Sequence, residues 1–178
     1  MPKDPSSEEY VIGVLGAGAM GRGIVQVAAA GGMTVRLFDT NQAAVEDAVK
    51  FIGGMFDRAA EKGRMEKDDA TAAHARIHPI TSMQEFAGCD AVVEAVVENL
   101  DVKKAVFAEL ESIVADDVIL ASNTSSLSVT TIAAECAHPS RVAGFHFFNP
   151  VPLMPLVEVI AGVLTDEWVC EELMDIGR

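Results

Sequence analysis

The chain is predicted to be a doubly wound α/β domain, a mainly parallel sheet with helices on both faces. Three observations predict it. Short apolar runs of strand length alternate with stretches of helical period along the sequence, the pattern that builds a parallel sheet. Residues 91–96 are almost wholly apolar, as a central strand covered on both faces must be. The first apolar run leads directly into Gly16-Ala17-Gly18-Ala19-Met20-Gly21, a strand–turn–helix signature.

Each element follows from local chemistry. Residues 10–15 read as a strand, 21–30 as a helix of small residues, and 34–38 as a second strand ending at Asp39. Residues 40–63 carry Val45, Val49, Ile52 and Phe56 at helical spacing, so a long amphipathic helix is expected there, closed by Gly63. A more polar helix spans 65–75, with Asp68 and Asp69 near the positive end of its dipole. After the central strand, 101–112 is expected as a helix with Val102, Ala105, Val106 and Leu110 inward. Residues 118–121 read as a strand and 128–136 as a helix capped by Ser128. Strands over 142–145 and 156–160 complete the sheet. Pro150, Pro152 and Pro155 lack amide donors and keep the connection between them non-helical. A helix over 165–176 ends the chain. Residues 1–9, polar and acidic, are expected as a flexible tail before one domain over 10–178.

At 178 residues the chain can bury one sizeable core, and its 50% hydrophobic content is that of a folded protein. A formal net charge of −14 argues against nucleic acid as a partner, since a phosphate-binding surface needs clustered Lys and Arg. Cys89, Cys136 and Cys170 are far apart and form no CxxC, so neither a disulfide framework nor a metal site is expected. A reducing, cytoplasmic compartment is the plain reading. No stretch reaches the roughly 20 apolar residues of a membrane span, and no signal segment opens the sequence.

The glycine turn gains meaning from its surroundings. Gly16 permits the tight turn, Gly18 lets the backbone approach a pyrophosphate, and Gly21 lets the helix pack closely. Ala19 and Met20 lie in the turn just before the helix whose N-terminal amides would meet the phosphates. Asp39, ending the next strand, would accept from both ribose hydroxyls and repel a 2′-phosphate. NAD is therefore expected over NADP. FAD uses the same turn but usually brings longer extra segments, and a turn shaped by glycine for its own sake is the plainer alternative.

His146 follows an apolar strand on the C-terminal side of the sheet, where such folds bind ligands. Glu158 interrupts an otherwise apolar strand and is expected to be buried and paired, with His146 as the plausible partner. A carboxylate on one ring nitrogen would leave the other free to take a hydroxyl proton. Ser125 lies at the same rim and would hydrogen-bond that oxygen. A hydrolytic Ser125–His146–Glu158 triad is the competing idea, but Ser125 lies in no Gly-x-Ser-x-Gly elbow.

These motifs together resemble the NAD-binding domain of the L-3-hydroxyacyl-CoA dehydrogenase family, which includes 3-hydroxybutyryl-CoA dehydrogenases. The resemblance runs from about Tyr10 to the end. It rests on Gly-Ala-Gly-Ala-Met-Gly-Arg-Gly-Ile, Glu94-Ala-Val-Val-Glu98-Asn-Leu, Ala121-Ser-Asn-Thr-Ser-Ser-Leu-Ser and Gly144-Phe-His-Phe-Phe-Asn-Pro-Val-Pro-Leu-Met. It implies a Rossmann-type fold with a helical excursion after the second strand, and oxidation of the 3-hydroxyl of an acyl-CoA by NAD, or the reverse. His146 is then the base and Glu158 its orienting partner, with Ser125 and Asn149 near the substrate oxygen. Glu98, Lys103 and Asn123 would line the nicotinamide side of the cleft. Residues 43–75 would project toward coenzyme A, making Arg58, Lys62 and Arg64 candidates for its phosphates.

The resemblance also implies a further strand and a helical, dimer-forming domain beyond residue 178. Trp168, Val169, Leu173 and Ile176 are accordingly candidates for exposed or re-packed apolar surface. A module that binds NAD without turnover, or a dehydrogenase of a non-CoA hydroxy acid, is the alternative function.

Overall fold

The computed structural model describes residues 3–7 and 9–178. Seven strands form one sheet: β1 (Val11–Leu15), β2 (Thr34–Phe38), β3 (Ile77–Pro79), β4 (Ala91–Glu94), β5 (Ile119–Ser122), β6 (Val142–Phe147) and β7 (Val157–Ala161). Their order across the sheet is β3-β2-β1-β4-β5-β6-β7. All pairings are parallel except β6 with β7, which is antiparallel. The helices are α1 (Ala19–Ala30), α2 (Gln42–Glu61), α3 (Lys67–Ala75), α4 (Leu100–Ile113), α5 (Val129–Ala133) and α6 (Glu167–Ile176). This is the Rossmann-type arrangement, with a helical insertion after the second strand.

The period of two along each strand divides the core into two layers. Ile12, Val14, Val93 and Ala121 face α1, α2, α3 and α6. Leu15, Val92 and Leu120 face the opposite layer, where α4 and α5 pack. In α2 the buried stripe is Val45, Ala48, Ile52 and Phe56, close to the expected one. Gly63 takes the left-handed conformation just past that helix, at φ 64°, and the Arg64 amide returns to the Ala59 carbonyl.

The 43–75 segment is the expected helical excursion: α2 and α3 share one buried cluster with α1 and lead into β3 at the sheet edge. Other expectations need correction. In α4 the buried residues are Lys103, Phe107 and Leu110, while Val102 is 40% exposed and Ala105 lies at the surface. Of the two alternatives for the apolar residues of α6, packing is the one observed: Val169 and Leu173 are fully buried, and Trp168 and Ile176 pack partly against the same core. Part of the expected tail, residues 1, 2 and 8, lies outside the described residues. Within it, Lys3 pairs with Asp90 at 3.1 Å and its amide donates to Glu172, which also accepts from the Tyr10 hydroxyl.

Candidate cofactor and catalytic cleft

The parallel strands end together at one rim, and the turns that leave them build a cleft of about 330 Å³. Its lining includes Met20, Glu98, Lys103, Asn123, Ser125, His146 and Asn149, together with Val96 and Phe148. Seven of the residues singled out in the sequence therefore meet in one place. Arg58, Lys62 and Arg64 are not among them. All three are exposed at the far end of α2, where the Arg58 Nε donates to the Gly54 carbonyl.

The glycine turn is shaped by close backbone contacts. Gly16 has φ 112°, which favours glycine, and a Cβ there would lie 2.6 Å from the Ala95 carbonyl. A Cβ at Gly21 would lie 1.8 Å from the Gly16 carbonyl oxygen, so α1 packs against the turn itself. Gly18 is different: a Cβ there would meet nothing within 4 Å. It is the N-cap of α1, with no side-chain cap and no acid in the first turn. The helix starts at Ala19, two residues earlier than expected. Uncapped amides beneath open space fit a pyrophosphate. Asp39 stands beside them, one oxygen accepting from the Ala17 amide at 2.8 Å and the other from Asn41 at 2.9 Å. These residues fit an NAD molecule, which would add a hydride-accepting nicotinamide to the cleft.

On the opposite side, the antiparallel register sets His146 directly across from Glu158. The imidazole Nδ1 lies 2.9 Å from the Glu158 Oε2, so a proton on Nδ1 donates to the carboxylate and leaves Nε2 as the free acceptor. The pairing is as expected but its setting is not. The Glu158 side chain is 54% exposed, because β7 is an edge strand with solvent on that face. Phe148 packs against the imidazole with ring centroids 4.6 Å apart. The Asn123 side-chain oxygen accepts from the Phe147 amide at 2.9 Å, tying the end of β5 to the strand that carries His146.

A third group was missed. Glu94, fully buried at the end of β4, meets Lys103 Nζ at 2.6 Å and accepts from the Val96 amide and the Ser122 hydroxyl, each at 2.7 Å. Lys103 Nζ also lies 3.3 Å from Glu98. Glu98 in turn accepts from the Thr124 hydroxyl and from the Ser125 amide at 3.0 Å. Burial pushes the Glu98 carboxyl up, but the Thr124 bond, the Lys103 charge and the Ser125 amide outweigh it and hold it below the ordinary glutamate range. The signal for Glu94 was present in the sequence: an acid ending a wholly apolar strand must have a partner.

Comparison with known proteins shows the family and the fold. The family model described as 3-hydroxyacyl-CoA dehydrogenase, NAD binding domain, matches residues 11–178. The chain is 44% identical over 165 residues to a probable 3-hydroxybutyryl-CoA dehydrogenase of Bacillus subtilis (strain 168), covering 93% of the chain and 58% of that protein. It is 41% identical over 165 residues to the 3-hydroxyadipyl-CoA dehydrogenase of Escherichia coli (strain K12), covering 93% of the chain and 35% of that protein. Its fold matches the crystal structure of (S)-3-hydroxybutyryl-CoA dehydrogenase from Ralstonia eutropha with a TM-score of 0.90 at 38% identity, covering 94% of this chain and 61% of that one. The chain thus spans less than two thirds of each.

Proposed function

The chain belongs to the 3-hydroxyacyl-CoA dehydrogenase family, and from that premise we propose that its cleft serves hydride transfer between NAD and C3 of a 3-hydroxyacyl-CoA. The observation that carries the reading is the His146–Glu158 pair, held at 2.9 Å at the rim that also holds the open N-terminus of α1. Bound over the glycine turn and beside Asp39, NAD would supply a nicotinamide able to take a hydride from C3. His146 Nε2 takes the hydroxyl proton as the carbonyl forms, while the Nδ1 proton stays hydrogen-bonded to Glu158 and fixes the ring. Ser125 and Asn149 hydrogen-bond the same oxygen. Glu98, Lys103 and Asn123 form the nicotinamide side, and Asp39 receives the adenosine ribose. Arg58, Lys62 and Arg64 remain the candidates for the phosphates of coenzyme A, at the outer end of α2.

Asp39 makes the proposal testable. A carboxylate beside the ribose disfavours a 2′-phosphate, so isothermal titration should show NADH binding more tightly than NADPH. Equal affinities would reject the assignment of Asp39.

A second reading concerns what these 178 residues do alone. Leu153, Met154 and Leu156 are exposed on the segment that follows the cleft residue Asn149, at 75%, 41% and 54%, and this apolar surface supports a substrate held by this chain from one side only. On that reading the chain alone binds NAD with negligible turnover, because the reacting geometry is left loose. The assembled enzyme is proposed to be a homodimer. Among the described residues no helix is long and apolar enough to cross a membrane. The free thiols of Cys89, Cys136 and Cys170 suit the proposed cytoplasmic location.

A further inference from the structure

We infer that Glu94 is a positioning residue, holding the 122–126 loop and the floor of the cleft in place through a closed ring of polar contacts. The inference rests on the reading of that cleft as the nicotinamide site. Glu94 and Lys103 have side chains 0% and 1% exposed, yet Lys103 lines the cleft. A buried ion pair of this kind is seldom retained for stability alone, since apolar residues of similar volume usually serve as well. Here the pair has two further connections, and both end on the same loop.

In the first, Glu94 Oε2 accepts from the Ser122 hydroxyl, and that hydroxyl oxygen accepts from the Thr124 amide at 3.2 Å. In the second, the Lys103 ammonium reaches Glu98 Oε2, while Glu98 Oε1 accepts from the amides of Ser125 and Ser126 at 3.0 and 3.3 Å. The Asn123 amide donates to the Glu94 carbonyl at 2.8 Å and closes the ring along the backbone. The loop is thus tied to Glu94 at two places, at Thr124 through Ser122 and at Ser125 and Ser126 through Lys103 and Glu98. Both Glu98 oxygens are engaged, so its carboxylate has little freedom to turn away from the loop. Glu94 itself touches no ligand on this account; it acts through Lys103, Ser122 and Glu98.

Removing Glu94 alone leaves Lys103 buried beside one carboxylate, and that variant is at risk of unfolding. The informative variant is the double change E94Q/K103M, which removes both buried charges at nearly constant volume. Amide exchange of the ligand-free chain is followed by NMR in wild type and variant, alongside NADH titration. Expected is exchange about tenfold faster at Ser125 and Ser126 with Val14 and Val35 unchanged, a local and not a global opening. Because Lys103 itself lines the cleft, NADH affinity is read in E94Q, which keeps that lysine: in the folded protein it should fall about fivefold or more, which a purely structural pair would not cause. Wild-type exchange at Ser125 and Ser126 in the double variant, or unaltered NADH affinity in folded E94Q, overturns the inference. If the wild-type chain binds no NADH, the reading of the cleft fails, and the exchange rates alone decide the role of Glu94.

Discussion

Two carboxylate pairs stand at the same rim of the sheet, and their surroundings differ completely. Glu94 and Lys103 are sealed in the interior, and each carboxylate oxygen has at least one partner. Glu158 and His146 face each other across an edge ladder, with 54% and 17% of their side chains exposed. The first pair is held by several partners on buried atoms, and it suits a frame. The second has one contact and an accessible ring, as a group that must gain and lose a proton requires. Similar chemistry is divided by burial into a fixed part and a working part.

The division is sharpest in rates. In the assembled enzyme, H146A should lower kcat for acetoacetyl-CoA reduction by about 10²–10⁴-fold, the usual range for loss of general acid–base catalysis. NADH affinity should change little, because the imidazole acts on the substrate hydroxyl. Near-normal turnover would remove His146 from its role and make the open pair merely another surface contact.

Stability should separate the pairs in the opposite sense. Breaking a buried ion pair from one side costs about 3–5 kcal/mol, whereas an exposed pair contributes about 0–1 kcal/mol. Urea denaturation of E94Q should therefore show a large loss and that of E158Q almost none. Equal losses would mean that burial does not distinguish the two, and the comparison would collapse.

The same contrast explains what could be read in the sequence. The glycine turn, Asp39, and the pairing of His146 with Glu158 were legible, because spacing and strand period constrain them. The reason offered for the pairing was burial of Glu158, and it fails: β7 lies at the sheet edge, which no periodicity of the strand itself reveals. In α4 the expected face was led by valines, yet Lys103 is buried and Val102 is exposed. A hydrophobicity count assigns lysine to water. Only the proximity of Glu94, distant by nine residues and brought close by the turn after β4, reverses that choice. The strand Ile77–Pro79 was missed because three residues ending in proline carry no period. The capping box of Ser82 and Glu85, which starts the 3-10 turn Met83–Gly88, was visible as a pattern and went unread.

The smallest expected effect lies between the two pairs, at Glu98, which is joined to the buried frame by Lys103 and is itself 38% exposed. Its carboxyl is held below its ordinary range, burial being outweighed by the Thr124, Lys103 and Ser125 contacts. A group whose pKa is depressed on folding adds stability above its unfolded value, about 4.3 for glutamate, and loses it as pH falls through the folded value. The urea midpoint of the wild-type chain should thus exceed that of E98Q by a constant, modest margin from pH 8 down to about 5. Below about pH 4.3 the margin should shrink, and it should disappear once the wild-type carboxyl is also protonated. Other acids titrate in both chains and cancel in the difference. A margin that persists undiminished to pH 3 would show that its ionised form is not what the loop amides hold. Glu98 would then belong with the open pair and not with the frame.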